Sequence, residues 1–306
     1  MSNIITDIKA LQEETLLNLQ SSKAENTIRA YKSDFRDFEL FCIKNGLKSV
    51  PSDPKIVSLY LTHLSTKDVK MSTLKRRLVS IGVIHKFKGY YLDTKHPTII
   101  ENIMGIKRRK GIIQKGKKPI LINDLKILIK VIDQSNEKVK RKIRDKALLL
   151  IGFSGGFRRS ELVNIEYDDV EFVSEGVKIF VKKSKTDQSG EGMTKAIPYF
   201  DNENFCPVKA LIKWMDIIDF KKEKIFNISD KNVALIIKKY ANQAGLDGYK
   251  YAGHSLRSGF ATSTAESGAE ERNIMAMTGH KSTEMVRRYI KEANLFKNNA
   301  LNKIKL

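Results

Sequence analysis

Four short segments carry residue types that can work on a phosphodiester. Gly156-Phe157-Arg158-Arg159-Ser160-Glu161-Leu162 follows a glycine pair and sets Arg158 and Glu161 three residues apart. Gly253-His254-Ser255-Leu256-Arg257-Ser258-Gly259 sets His254 and Arg257 at the same interval, so at a helix start both project to one side. Thr278-Gly279-His280 comes next, and Tyr289 stands nine residues after His280. A phosphoryl group in transfer needs fixed positive charge at its non-bridging oxygens. Two arginines supply a planar, permanently charged, bidentate clamp that lysine does not reproduce. The chain holds 14 Arg against 42 Lys, so arginine at 158 and 257 is informative. A phenol, with a pKa near 10, is a weak nucleophile until its proton is removed. His254 is placed to move that proton, His280 to donate a hydrogen bond to the phosphate, and Glu161 to orient the arginines from behind.

Other chemistries lack their residues. No Gly-Lys-Ser/Thr phosphate loop, GxGxxG fingerprint, HExxH pair or cluster of paired acids occurs. Two distant cysteines, Cys42 and Cys206, exclude a disulfide scaffold or a cysteine-rich zinc fold. No apolar run approaches the ~18–20 residues of a membrane span, and no signal-like leader opens the sequence, so the expected compartment is the cytoplasm. Of the 306 residues, 56 are Lys or Arg and 35 Asp or Glu, a net charge of +21. Residues 71–120 hold 13 basic and 2 acidic side chains, about half of that excess. So concentrated a charge predicts a nucleic-acid face rather than compositional drift.

The elements that must position these groups read as follows. Asn26-Thr27, Ser52-Asp53-Pro54, Ser72-Thr73 and Pro97 each open an amphipathic helix, giving an all-helical domain over residues 1–106. The Ser72 helix offers Lys75, Arg76, Arg77, Lys86 and Lys88 on its polar side. The stretch 107–119, with Lys107, Arg108, Arg109, Lys110, Lys117 and Lys118, two glycines and a proline, reads as a basic linker lying along a phosphate backbone. From 120 to 293 the pattern is mixed. Helices are expected at 123–133, 145–151, from Arg158 onward, and at 207–218, 231–244, 256–267, 270–278 and 283–293. Short strands are expected at 170–173, 177–182 and 196–200, the last two flanking a polar loop. Ser229, Lys231 and Asn232 at a helix start are candidate base or phosphate contacts. The tail 294–306 can form one apolar face with Phe296, Ala300, Leu301 and Ile304.

At the four segments the sequence resembles the tyrosine recombinase family, the phage-integrase and Cre-like strand-exchange enzymes. Arg158 stands in the family's T-G-x-R-x-S-E-L type turn, His254–Arg257 in its H-x-x-R box, His280 in its L-G-H box, and Tyr289 at its nucleophile. The segment KKSKTDQSGEGMTKAI looks like the Cre version of the lysine hairpin, with Lys185-Thr186 as the matching pair, which makes Lys185 the match for the family's general acid; Lys182, Lys183 and Lys195 are its rivals. Arg159 departs from the apolar residue usual there. The resemblance implies a mainly α fold with a small antiparallel β-sheet, in which a helical core-binding domain precedes a mixed α+β catalytic domain. It implies a 3′-phosphotyrosyl intermediate formed with no cofactor or metal, and double-stranded DNA with paired sites as partner. A monomer in free solution would become a homo-tetramer in the synaptic complex, with the tail contacting the next protomer. The competing readings are a type IB topoisomerase-like enzyme and a non-catalytic regulator on a recombinase scaffold.

Overall fold

The computed structural model describes residues 24–67, 69–111, 116–182, 191–218, 223–280 and 282–293, with isolated positions at 11, 14, 302 and 304. Lys185 and nearly all of the tail 294–306 lie outside the described residues. The chain divides into two compact units, Met1–Gln114 and Lys115–Leu306. No helix among the described residues is long and apolar enough to cross a membrane.

The first unit contains α1 (Glu25–Lys44), α2 (Pro54–Thr66), α3 (Met71–Phe87) and α4 (Pro97–Lys110). Asp53 caps α2, accepting from the Lys55 amide at 2.7 Å with Pro54 at the first helical position. The apolar stripes meet in a core of Phe38, Tyr60, Leu61, Leu74, Ile81 and Ile99, all fully buried. Asp34 is buried too, and it is neutralised by a two-bond fork from Arg76 at 2.8 and 2.9 Å. The expected linker starts later than its composition suggests. Lys107–Lys110 form the last turn of α4, because Lys and Arg are good helix formers and are favoured at the negative end of the helix dipole. Gly111, at φ +70°, ends the helix.

In the second unit come α5 (Ile122–Gln134), α6 (Val139–Ser154) and α7 (Arg159–Val163). A three-stranded antiparallel sheet follows, β1 (Val170–Val173), β2 (Gly176–Val181) and β3 (Met193–Pro198), paired in that order. Then come α8 (Pro207–Met215), α9 (Asp230–Gln243), α10 (Ser255–Glu266), α11 (Glu271–Thr278) and α12 (Thr283–Ala293). Helix α6 starts six residues before the expected 145, since its first turns are mostly Lys and Arg and only Val139 and Ile143 among them are apolar. Strand β3 starts at Met193 rather than 196, which pairs Lys195 with Ile179 and Ile197 with Val177. Alternation therefore turns Lys195 to the buried face. The segment before α5 runs against the start of α10: the Ile120 amide donates to Ser255 O at 2.9 Å. Only glycine fits opposite it, because a Cβ on Gly259 would lie 1.8 Å from Ile120 O.

Candidate active site

Helix α6 ends at Ser154, and the chain reverses through Gly155 and Gly156. Gly156 sits at φ +55°, a conformation side chains rarely adopt. The reversal delivers Arg158 to the N-cap position of α7. Glu161, one turn on and almost fully buried, receives the Arg158 amide at 2.9 Å and pairs with its guanidinium. A buried carboxylate needs such partners, and here they fix the direction of Arg158.

The loop into α10 places His254 at its N-cap position and Arg257 in its first turn. Arg159 packs over Gly253, where a Cβ would come within 1.9 Å of the Arg159 side chain; this accounts for glycine before His254. His254 keeps an exposed edge. Partial burial, then Arg257, Arg158 and Arg159, hold it below the ordinary imidazole range, so the ring is neutral and able to accept a proton near pH 7.

Helix α11 ends on Gly279 in the left-handed conformation, its amide donating to Met275 O at 2.7 Å. The turn presents His280. The Thr278 hydroxyl lies 2.6 Å from Ile274 O and 2.8 Å from His280 Nδ1. Its single hydrogen belongs between the two oxygens, so Nδ1 carries the ring proton and Nε2 is bare. Donation from Nε2 to a phosphate, as expected from sequence, therefore requires the ring to take up a second proton. Burial, then Arg257, Arg158, His254 and Lys195, hold His280 near 4, against an ordinary 6.5. The unfolded chain binds this proton first as the pH falls, so the fold loses stability progressively from about pH 6.5 to about 4. We expect the thermal midpoint to drop across that window and His280→Gln to remove part of the drop, since His254 and the buried His85 are lowered in the same direction. An identical pH dependence in the variant would show that the fold does not hold this ring neutral.

Tyr289 projects from α12, half-buried beside the cluster of Ala261, Ala265, Ile274 and Val286. Its ring centroid is 6.3 Å from that of His280. Arg257 lies at the centre, 1% exposed. One donor goes to Gly156 O at 2.9 Å, and its Nε and Nη2 are buried with no partner among the described residues. Burial and Arg158 push Arg257 down to about 10, with Glu161 and Tyr289 acting in the opposite direction, so it remains charged at pH 7. Two orphaned donors on a buried cation, beside a second arginine, make a site for an oxyanion.

Sequence reasoning kept Lys195 only as a rival to Lys185. It is fully buried, with Nζ donating to Gly155 O at 2.7 Å and to Met277 O, and lying 4.8 Å over the Phe157 ring. Period-two alternation with Ile197 was the signal that could have placed it. Lys182 is engaged at the surface with Glu166 and Asp169.

The expected DNA contacts divide. Lys75, Lys86, Lys88, Lys107, Arg108, Arg109, Lys110, Lys117, Lys118, Lys231 and Asn232 are exposed. Arg77 corrects the reading: it is 18% exposed and turned inward onto Asp34, Asp37 and Tyr60, where it braces the helical unit. Arg76 is half-exposed but committed to Asp34. Ser229 accepts from the Asn232 amide as the cap of α9. Lys118 also pairs with Asp124 at 3.4 Å. We expect neutralising Lys107, Arg108, Arg109 and Lys110 together to flatten the slope of log K against log[salt] by about 0.9 per lost phosphate contact. An unchanged slope would show that this helix end touches no phosphate.

The phage integrase family model matches residues 122–295, and a model of the phage integrase N-terminal SAM-like domain matches residues 14–89. An integrase/recombinase xerD homolog of Selenomonas ruminantium is 42% identical over 301 residues, covering 94% of this chain and 87% of its own. Tyrosine recombinase XerC of Staphylococcus aureus is 24% identical over 286 residues, covering 91% and 90%. Among solved structures, the XerH recombinase bound to palindromic difH in a post-cleavage complex aligns with a TM-score of 0.60 at 18% identity, over 81% of this chain and 73% of that one. The Tn1549 transposon integrase with circular intermediate DNA gives 0.63 at 13%, over 90% and 92%. At these identities the structural matches speak for the fold.

Proposed function

The chain belongs to the phage integrase family and is a tyrosine-type site-specific DNA recombinase, and from that premise we propose that it cuts and rejoins strands through a covalent 3′-phosphotyrosyl bond to Tyr289. The observation that carries this reading is Arg257, a buried guanidinium with two orphaned donors, next to Arg158 and on the same site as Tyr289. Tyr289 Oη attacks phosphorus as its proton passes to neutral His254. The P–O5′ bond breaks, and the leaving O5′ takes a proton from Lys185. Arg158 and Arg257 balance the charge that builds on the non-bridging oxygens. A 5′-hydroxyl from another strand then reverses the step and restores the phenol, so the energy of the broken bond is conserved in the phosphotyrosine.

Exchange between two duplexes cuts four strands, which calls for four protomers, with the tail 294–306 as the segment offered to a neighbour. This closes a ring as a head-to-tail contact does. DNA is the partner, and two half-sites arranged around the cleavage points are its expected form. A pool of nicked duplexes with random central sequence, incubated with the protein and denatured in SDS, is expected to yield one attached sequence. Two duplexes of that sequence, of different length, are then expected to exchange strands. Attachment without exchange would reduce the protein to a relaxing enzyme, and no attachment would leave it a binding protein.

A further inference from the structure

We propose that Lys195 is a positioning residue that ties the turn carrying Arg158 to the turn carrying His280 and so holds the two sides of the site in register around a phosphate. This rests on the reading of the site as a phosphoryl-transfer centre.

The geometry is specific. Lys195 is a charged residue on the buried face of β3, between strand neighbours that are apolar there, Ile179 opposite and Ile197 two residues on. Its ammonium donates to the carbonyl of Gly155, three residues before Arg158, and to that of Met277, three before His280. Those carbonyls are 122 positions apart in sequence and belong to different helix ends, α6 and α11. Of the three donors an ammonium has, two are spent on these bonds, and the Nζ stands over the Phe157 ring. That leaves Lys195 poorly placed to protonate a leaving oxygen and well placed to fix the loops that hold the phosphate ligands.

The choice of lysine has a cost. Burying an ammonium is unfavourable, and a methionine of similar length would fill the space without it. Glu161 is the acidic group facing Lys195, Arg257 and Arg158 are its positive neighbours, and the neutral His280 ring lies close by. Burial lowers it to about 7, with Glu161 acting in the opposite direction and both arginines with burial. Burial thus favours the uncharged form of the strut in the free protein. A phosphate between the arginines supplies the missing negative charge, favours the ammonium and strengthens both carbonyl bonds. DNA binding and assembly of the site become one proton-linked event.

The test compares wild type with Lys195→Met on the duplex selected by covalent attachment. We expect the variant to fold with an unchanged or raised thermal midpoint and to bind the duplex within about threefold. Its rate of adduct formation should fall by about 100-fold, the scale of a small misplacement of reacting groups. A lowered midpoint or failure to fold would make Lys195 a fold determinant, and a rate within threefold of wild type would remove it from the reaction; either overturns the proposal. Calorimetry of wild type on the same duplex at pH 8, in buffers of different ionisation enthalpy, gives a second reading that needs no variant. That pH lies well above the range in which His254 and His280 titrate, and net proton uptake is expected; uptake near zero overturns the proposal. Should wild type attach to no duplex at all, the phosphotyrosine reading itself fails, an outcome distinct from equal rates in wild type and variant.

Discussion

Tyr289→Phe is expected to bind the selected duplex within about twofold of wild type and to form no SDS-stable adduct, since covalent catalysis has no substitute once its nucleophile is gone. The change removes one oxygen. The ring keeps its packing against the cluster of Ala261, Ala265, Ile274 and Val286 and its place beside His280, so α12 and the turn before it are undisturbed. Neighbouring phenols are poor replacements. Tyr240 is buried, its hydroxyl bonded to buried Asp145, and burial drives its pKa up, away from phenolate. Tyr251 is 2% exposed and directed at Asp124. Tyr249 is exposed on a surface turn. An adduct that persists in the variant would show that another nucleophile does the work.

The second large effect is expected at Arg257. Lysine there keeps the charge and can still reach Gly156 O, but it cannot also present the in-plane pair of donors that Nε and Nη2 supply. Arg257→Lys should lower the rate of adduct formation by about 1,000-fold, in the range seen when a donor to a transition-state oxyanion is removed. Duplex affinity should change by only a few fold, because most of it comes from exposed lysines and arginines elsewhere. The fold should tolerate the change, since the orphaned donors are a burden on the free protein rather than a support. A rate within tenfold of wild type would mean that these donors do not meet the reacting phosphate.

Much of this arrangement was legible in the sequence, for reasons that can be named. Arg158, Glu161, His254 and Arg257 stand at helix starts, where an i,i+3 interval has a fixed spatial meaning. The same is true of the α2 cap at Asp53-Pro54. Tyr289 follows His280 on the next helix, so their proximity is nearly local. What failed to show depended on contacts distant in the chain. Arg77 looked like a free positive charge until Asp34, Asp37 and Tyr60, 17 to 43 positions away, claimed it. Lys195 sat in what composition read as a polar loop, and only strand pairing with Ile179 turned it inward. The direction of the Thr278–His280 bond depends on where one hydroxyl hydrogen goes, and that is decided by the carbonyl of Ile274.

The most direct test of the central claim is to digest the trapped protein–DNA adduct and locate the modified peptide by tandem mass spectrometry. The expected product carries one modified side chain, Tyr289, joined through its phenol oxygen to a 3′-phosphate, with a free 5′-hydroxyl on the departed strand. A nucleotide on any other residue, or a bond to a 5′-phosphate, would contradict it.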